Sequence, residues 1–146
     1  PTHAFFGEKD AQQLRVVKKM VKDLNYPIKI ISGPIIREIN GVAMSSRNQY
    51  LSKKEKEIAA TIHQALQDGK NLIFSGERDA NKIRDKITHK IKSEKLLRID
   101  YISIVDNDTF IEISGEISRD ILVSTAVFLG ETRLIDNFTY SDSSNK

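Results

Sequence analysis

Two short stretches carry residue types that together could handle a phosphate. Gly7-Glu8-Lys9-Asp10 follows a short apolar run, Ala4-Phe5-Phe6, and precedes a helical pattern. The end of a strand that opens into a helix is where open α/β sheets bind ligands. Gly7 allows close approach of a backbone, and amides at a helix start favour an anion. Lys9 could hold phosphate. Asp10 could accept from ribose hydroxyls or merely cap the helix, and Gln12 or Gln13 could face the same cleft. The spacing is equally that of a strand, a turn and a capped helix with no ligand. The second stretch is Met44-Ser45-Ser46-Arg47-Asn48, just after Asn40-Gly41. Two hydroxyls, successive loop amides and an arginine suit a polyphosphate, and mobile loops of this kind close over substrates. It also reads as a polar connector.

Other side chains offer less. The 146 residues include no cysteine, which removes disulfides, thiolate zinc sites and thiol nucleophiles. His3, His63 and His89 lie far apart, so a histidine metal site is not expected, and no side chain is assigned as a metal ligand. His63 reads as a surface or half-buried helix residue and His89 as part of a solvated lysine-rich face. Asp106-Asn107-Asp108 reads as a turn without the glycine and terminal glutamate of an EF-hand. The net charge of +3 hints at an anionic partner, yet residues 1–52 and 53–95 each carry +4 while 96–146 carry −5. A nucleic-acid binder more often carries a continuous basic stripe. No apolar run approaches the roughly 18 residues of a membrane helix. The first ten residues lack the basic and apolar regions of a signal peptide. The expected setting is the cytoplasm, with no membrane partner.

The elements that must position these groups follow from hydrophobic period. A chain of this length can bury roughly 68–70% of its unfolded surface, enough for one core; 39% of it is hydrophobic and 29% charged. Ala4–Phe6 reads as a buried strand, Asp10 to Leu24 as a helix with Leu14, Val17, Val21 and Leu24 on one stripe, and Ile28–Ile31 as a second strand. Strand, helix and strand on short links imply a βαβ unit with a parallel sheet. Residues 1–36 are therefore expected to be the tail of a Rossmann-like nucleotide-binding domain. Glu38 to Leu51 reads as loop. Ser52 with Glu55 forms a capping box for a helix starting at Lys53, with its end left open between Gly69 and Phe74, and Asp79 caps another from about Ala80 to Glu94. Asp100–Asp106, Ile121–Leu129 and Arg133–Phe138 read as strands, with a turn at Gly130-Glu131-Thr132. Residues 37–146 are thus expected to form an α+β domain with two helices and a small antiparallel sheet, ending in a frayed polar tail from Ser141 to Lys146.

Four segments in order, AFFGEKDAQQL (4–14), GVAMSSRNQYL (41–51), DYISIVD (100–106) and ILVSTAVFLGETRLIDN (121–137), resemble the pantoate–β-alanine ligase (pantothenate synthetase) family. The resemblance runs from Ala4 to Phe138 and matches roughly the C-terminal half of the family's length. It implies an ATP-dependent ligase that joins pantoate to β-alanine through a pantoyl adenylate, releasing pyrophosphate and then AMP, in coenzyme A biosynthesis. It also implies a magnesium ion bound with ATP, a Rossmann-like domain with a C-terminal lid, and a homodimer formed mostly through an N-terminal half. By the family's motif, Gly7, Glu8, Lys9 and Asp10 contact ATP, with Lys9 on phosphate and Gly7 and Asp10 on ribose. Gln13 takes pantoate, Ile36 offers its backbone to adenine, and Met44, Ser45, Ser46 and Arg47 close on the phosphates. Lys9, Ser45, Ser46 and Arg47 are the catalytic candidates. No protein nucleophile is needed, because a substrate carboxylate attacks ATP.

Two departures stand out. Ala11 occupies a place where the family usually has an aromatic. The family's paired-histidine segment, of H-x-G-H type, is absent from these 146 residues, so the isolated chain is expected to be a C-terminal piece without ligase activity. Two other readings remain: a related adenylate-forming enzyme with a different carboxylic acid, and a non-catalytic basic module that grips RNA through the helices of residues 53–95.

Overall fold

The computed structural model describes residues 1–141. Its first unit runs β1 (His3–Gly7), a 3-10 turn (Glu8–Asp10), α1 (Ala11–Asp23) and β2 (Lys29–Gly33). The strands pair in parallel, from His3 opposite Lys29 to Gly7 opposite Gly33. Sequence periodicity starts the helix at Asp10; the 3-10 turn delays it by one residue. Asn25, at φ 51°, ends it. The Tyr26 amide then donates to the Val21 carbonyl at 3.0 Å and the Asn25 amide to that of Lys22 at 3.2 Å, the 6→1 and 5→2 bonds of a Schellman stop. Of the expected stripe only Leu14 is buried, and Leu24 is exposed. Two strands are too narrow a sheet to cover three turns of helix.

The second unit begins after a loop that the sequence leaves without structure; a short 3-10 helix forms there at Ser46–Tyr50. Next come α2 (Lys53–Phe74), α3 (Ala80–Lys92), β3 (Leu97–Asp106), β4 (Ile121–Leu129) and β5 (Thr132–Tyr140). The capping box at α2 is present: the Glu55 amide donates to the Ser52 hydroxyl at 3.3 Å, and the Ser52 amide to the Glu55 carboxylate at 2.8 Å. Asp79 accepts from the Asn81 amide at 2.9 Å and caps α3. Both predicted helices therefore start where their caps place them.

The three strands form an antiparallel sheet in the order β3-β4-β5. β4 and β5 are joined by the tightest of turns, with Leu129 opposite Thr132. A register shift between Ile99 and Tyr101 leaves Asp100 as an extra residue on β3, a bulge that turns its carboxylate to Arg133 at 2.8 Å. One face of the sheet packs on α2 and α3. Leu66, Ile73, Ile83, Ile87, Ile91, Ile104, Val123 and Val127 are fully buried between them. Gly69 lies where the helices cross: a Cβ there would stand 2.7 Å from Ile87 Cδ1. No helix is long and apolar enough to cross a membrane among the described residues. Beyond Ser141 the expected polar tail lies outside those residues.

Candidate functional site

The two candidate stretches, 35 residues apart in sequence, meet. Lys9 Nζ donates to the Met44 carbonyl at 3.1 Å. Burial draws the Lys9 ammonium below the ordinary lysine pKa; the charges of Asp10 and Asp136 oppose that, and the nearby Arg47 guanidinium adds to it. Two cations, Lys9 and Arg47, thus converge where β1 gives way to α1. Asp10 sits at the N-cap position of α1, but its side chain makes no capping bond. The capping role that spacing allowed is not taken up, and the carboxylate stays at the cleft.

Lys9, Asp10, Gln12 and Gln13 line a cleft of about 680 Å³ between the start of α1 and the face of the sheet turned away from α2 and α3. Tyr101, Ser103, Arg133 and Asn137 form its opposite wall. Ala11 lines it too, at the place where the resemblance leads one to expect an aromatic. Gly7 and Ile36 do not line this cleft. Glu8 faces a second cavity of about 490 Å³ with Arg15, Lys18 and Lys70. Met44, Ser46 and Arg47 are exposed, and neither they nor Ser45 line this cleft. Ser45 accepts from the Arg47 amide at 3.2 Å and so starts the 3-10 helix. The Ile36 carbonyl accepts from the Met44 amide at 2.8 Å, which joins it to the same loop.

A polar cluster under the loop escaped sequence reasoning. Arg37 makes a bidentate pair with Asp136, at 2.7 and 2.9 Å, and also donates to the Gly41 carbonyl at 3.0 Å. Asn137 donates through Nδ2 to the carbonyls of Glu8 and Lys9, at 3.0 and 2.9 Å. Asn48 is buried and donates to Glu38 at 2.7 Å and to the Ala43 carbonyl at 3.2 Å. His63 Nδ1 lies 3.8 Å from Asp136 and has no hydrogen-bond partner. Burial lowers its pKa, the Arg37 charge lowers it further, and Asp136 opposes both. Gly41 stands at φ 91°, and a Cβ there would be 2.4 Å from His63 Cδ2. A signal for the cluster was present: Asp136-Asn137 stands between the apolar Leu134-Ile135 and Phe138 on one strand, and buried polar groups need partners.

Asp106 accepts from the amides of Asp108 and Thr109 at 2.9 and 2.7 Å, and from Arg119 at 3.2 Å. The Thr109 bond chiefly lowers its pKa, to about 2. The acidic run at 106–108 is a turn, as expected. Among the described residues no three His, Cys, Asp or Glu side chains converge as metal ligands would.

A family model described as pantoate-beta-alanine ligase matches residues 1–139. A pantothenate synthetase from Clostridium botulinum is 55% identical over 140 residues, covering 96% of this chain and 50% of that protein. The crystal structure of a pantothenate synthetase from Thermus thermophilus superposes with a TM-score of 0.89 at 34% identity, over 94% of this chain and 49% of that one. A Francisella tularensis pantoate-beta-alanine ligase, complexed with beta-gamma ATP and beta-alanine, gives a TM-score of 0.60 at 28% identity, over 94% of this chain and 43% of that one. The chain spans about half the length of the curated relatives it matches.

Proposed function

The chain belongs to the pantoate–beta-alanine ligase family, and from that premise we propose that it supplies the nucleotide-closing part of an ATP-dependent ligase. In this reading a pantoate carboxylate oxygen attacks the α-phosphorus of ATP and pyrophosphate leaves. The amine of β-alanine then attacks the acyl carbon of the mixed anhydride, loses a proton, and AMP departs. Residues 1–36 act as the edge of a Rossmann-like domain and residues 37–146 as its lid.

One observation carries the reading: Lys9 Nζ reaches the Met44 carbonyl. The two stretches suited to phosphate thereby become one site. Lys9 and Arg47 supply positive charge, Ser45 and Ser46 supply hydroxyls, and Asp10 remains at the cleft for ribose. Gln13, on the first turn of α1, faces the cleft where a pantoate hydroxyl or carboxylate would lie. Preorganised cations aimed at a developing phosphate charge are the expected source of rate. Magnesium would enter with the triphosphate, as the family resemblance implies. The Francisella tularensis ligase complexed with beta-gamma ATP and beta-alanine supports the same pair of substrates.

By itself the chain is proposed to be inactive. Lys9 lines one side of an open cleft while Ser46 and Arg47 stand exposed, and the family's paired-histidine segment is not among its residues. The homodimer is likewise proposed from the family alone. The test is pantoate-dependent exchange of pyrophosphate into ATP by the natural gene product that carries these residues. Exchange with pantoate, and AMP release on adding β-alanine, are expected. Exchange supported by a different carboxylic acid but not by pantoate would move the chain to another adenylate-forming activity. Turnover by the 146-residue chain alone would overturn its proposed inactivity.

A further inference from the structure

The ligase reading gives no role to the polar pair on β5. Asp136 and Asn137 are neighbours on a strand, so their side chains leave opposite faces of the sheet. Leu134, Phe138 and Tyr140, on the face of Asp136, join the core beneath α2. There Asp136 takes both arms of the Arg37 fork, and Arg37 holds the Gly41 carbonyl at the start of the loop. On the other face Asn137 gives both amide hydrogens to the carbonyls of Glu8 and Lys9. The Asn137 backbone amide also donates to Asp136 at 2.8 Å and fixes that carboxylate. Lys9 closes the ring by reaching Met44 on the loop.

We propose that Asp136 and Asn137 are positioning residues that set the turn at Glu8–Asp10 against the loop at Gly41–Arg47, one motif from each face of β5. The proposal rests on the ligase reading for the identity of the ligand, but the clamp itself is a matter of geometry. The turn buries none of its own residues, so packing does not hold it. A carboxamide is the uncharged side chain of this size with two N–H donors on one atom. An aspartate in its place has nearly the same shape and would turn lone pairs toward two carbonyl oxygens.

The experiment has two readouts. The first is amide hydrogen exchange on the natural gene product that carries these residues. Asn137→Asp is expected to speed exchange at residues 8–11 at least tenfold, and Asp136→Asn to do so at residues 41–48, with α3 unchanged. Should Asp136→Asn fail to fold, Arg37→Lys, which keeps the charge and loses the fork, carries the loop arm. The second readout is pantoate-dependent ATP–pyrophosphate exchange in the natural gene product. There Asn137→Asp is expected to lower kcat/KM for ATP tenfold or more, while KM for β-alanine stays the same. Unchanged exchange at the turn and loop, exchange raised equally throughout the chain, or ordinary ATP kinetics despite a loosened turn would each overturn the clamp. If the unsubstituted gene product shows no pantoate-dependent exchange, the ligase reading fails, and amide exchange still judges the clamp.

Discussion

The β1-α1-β2 unit and the α2-α3-sheet unit are held by different forces. Within residues 1–36 only Leu14 is buried, and Phe5 on β1 is 75% exposed. In the second unit two helices and three strands enclose a continuous core of isoleucine, leucine and valine. Yet the first unit carries Lys9, Asp10 and Gln13. The groups best suited to chemistry sit on the less packed part, and hydrogen bonds from the better packed part fix their place. Asn137 and the Lys9–Met44 contact form that link. Burial builds the platform, and directional bonds aim the site.

The largest expected effect tests the packing side of this contrast. Ile87→Ala removes a side chain that is fully buried against Gly69 and the sheet. It should cost about 2–5 kcal/mol in denaturant unfolding. Leu14→Ala should cost less than half as much, because its surroundings on the two-stranded sheet are open and can relax. Equal losses would mean that the first unit is packed as firmly as the second.

Lys9→Ala should reverse the ranking. In the natural gene product it should raise the barrier to adenylation by about 2–4 kcal/mol, the usual scale for one lost donor to developing charge. Ser46→Ala should act in the same direction. Ser46 is exposed, so stability should move by no more than about 0.5 kcal/mol. Adenylation at the unsubstituted rate in both variants would remove the phosphate role from the site.

Gly41→Ala falls between structure and function. At φ 91°, with His63 Cδ2 2.4 Å from the new methyl group, it should cost about 1–3 kcal/mol of backbone strain and displace the loop from the Arg37–Asp136 pair. Thermal unfolding measures the first effect, and amide exchange at residues 41–48 the second. A stable variant with a protected loop would show that the loop is held without this contact.

What could be read from the sequence divides along the same line. Local rules gave the helices: Ser52 with Glu55 and Asp79 named both starts, and the apolar run named β4 to the residue. The GEKD and MSSR stretches were legible because their residue types suit a phosphate wherever they fold. Their meeting was not legible, since it depends on the path of the chain between them. The Arg37–Asp136 and Asn137 contacts span some 99 to 129 positions, and no local period encodes such a pairing. The stripe on α1 marks a face that the two-stranded sheet leaves largely uncovered. Periodicity marks a face that can be buried, but only a wide enough partner buries it.

The smallest expected effect depends on pH and centres on His63. Arg37 from the loop, Asp136 from β5, Lys9 from the turn and Lys70 on its own helix surround it. Burial holds its pKa below the ordinary 6.5, Arg37 and Lys70 push the same way, and only Asp136 opposes. The unfolded chain therefore takes up the proton first as pH falls. Stability contributed by neutral His63 is complete above pH 6.5 and declines as pH drops through that value toward the lower folded pKa. Urea unfolding from about pH 8 to about pH 5, a range that spans the histidine titration, should show this decline, and His63→Gln should flatten it. Because Gly41 packs on the His63 ring and Arg37 reaches the Gly41 carbonyl, acid should lower the amide protection factors, corrected for the intrinsic pH dependence of exchange, at residues 41–48 before those of α3. Parallel pH slopes in the two proteins, or loosening that begins in α3, would place the acid-sensitive contact elsewhere and leave the loop anchored by Arg37 and Asp136 alone.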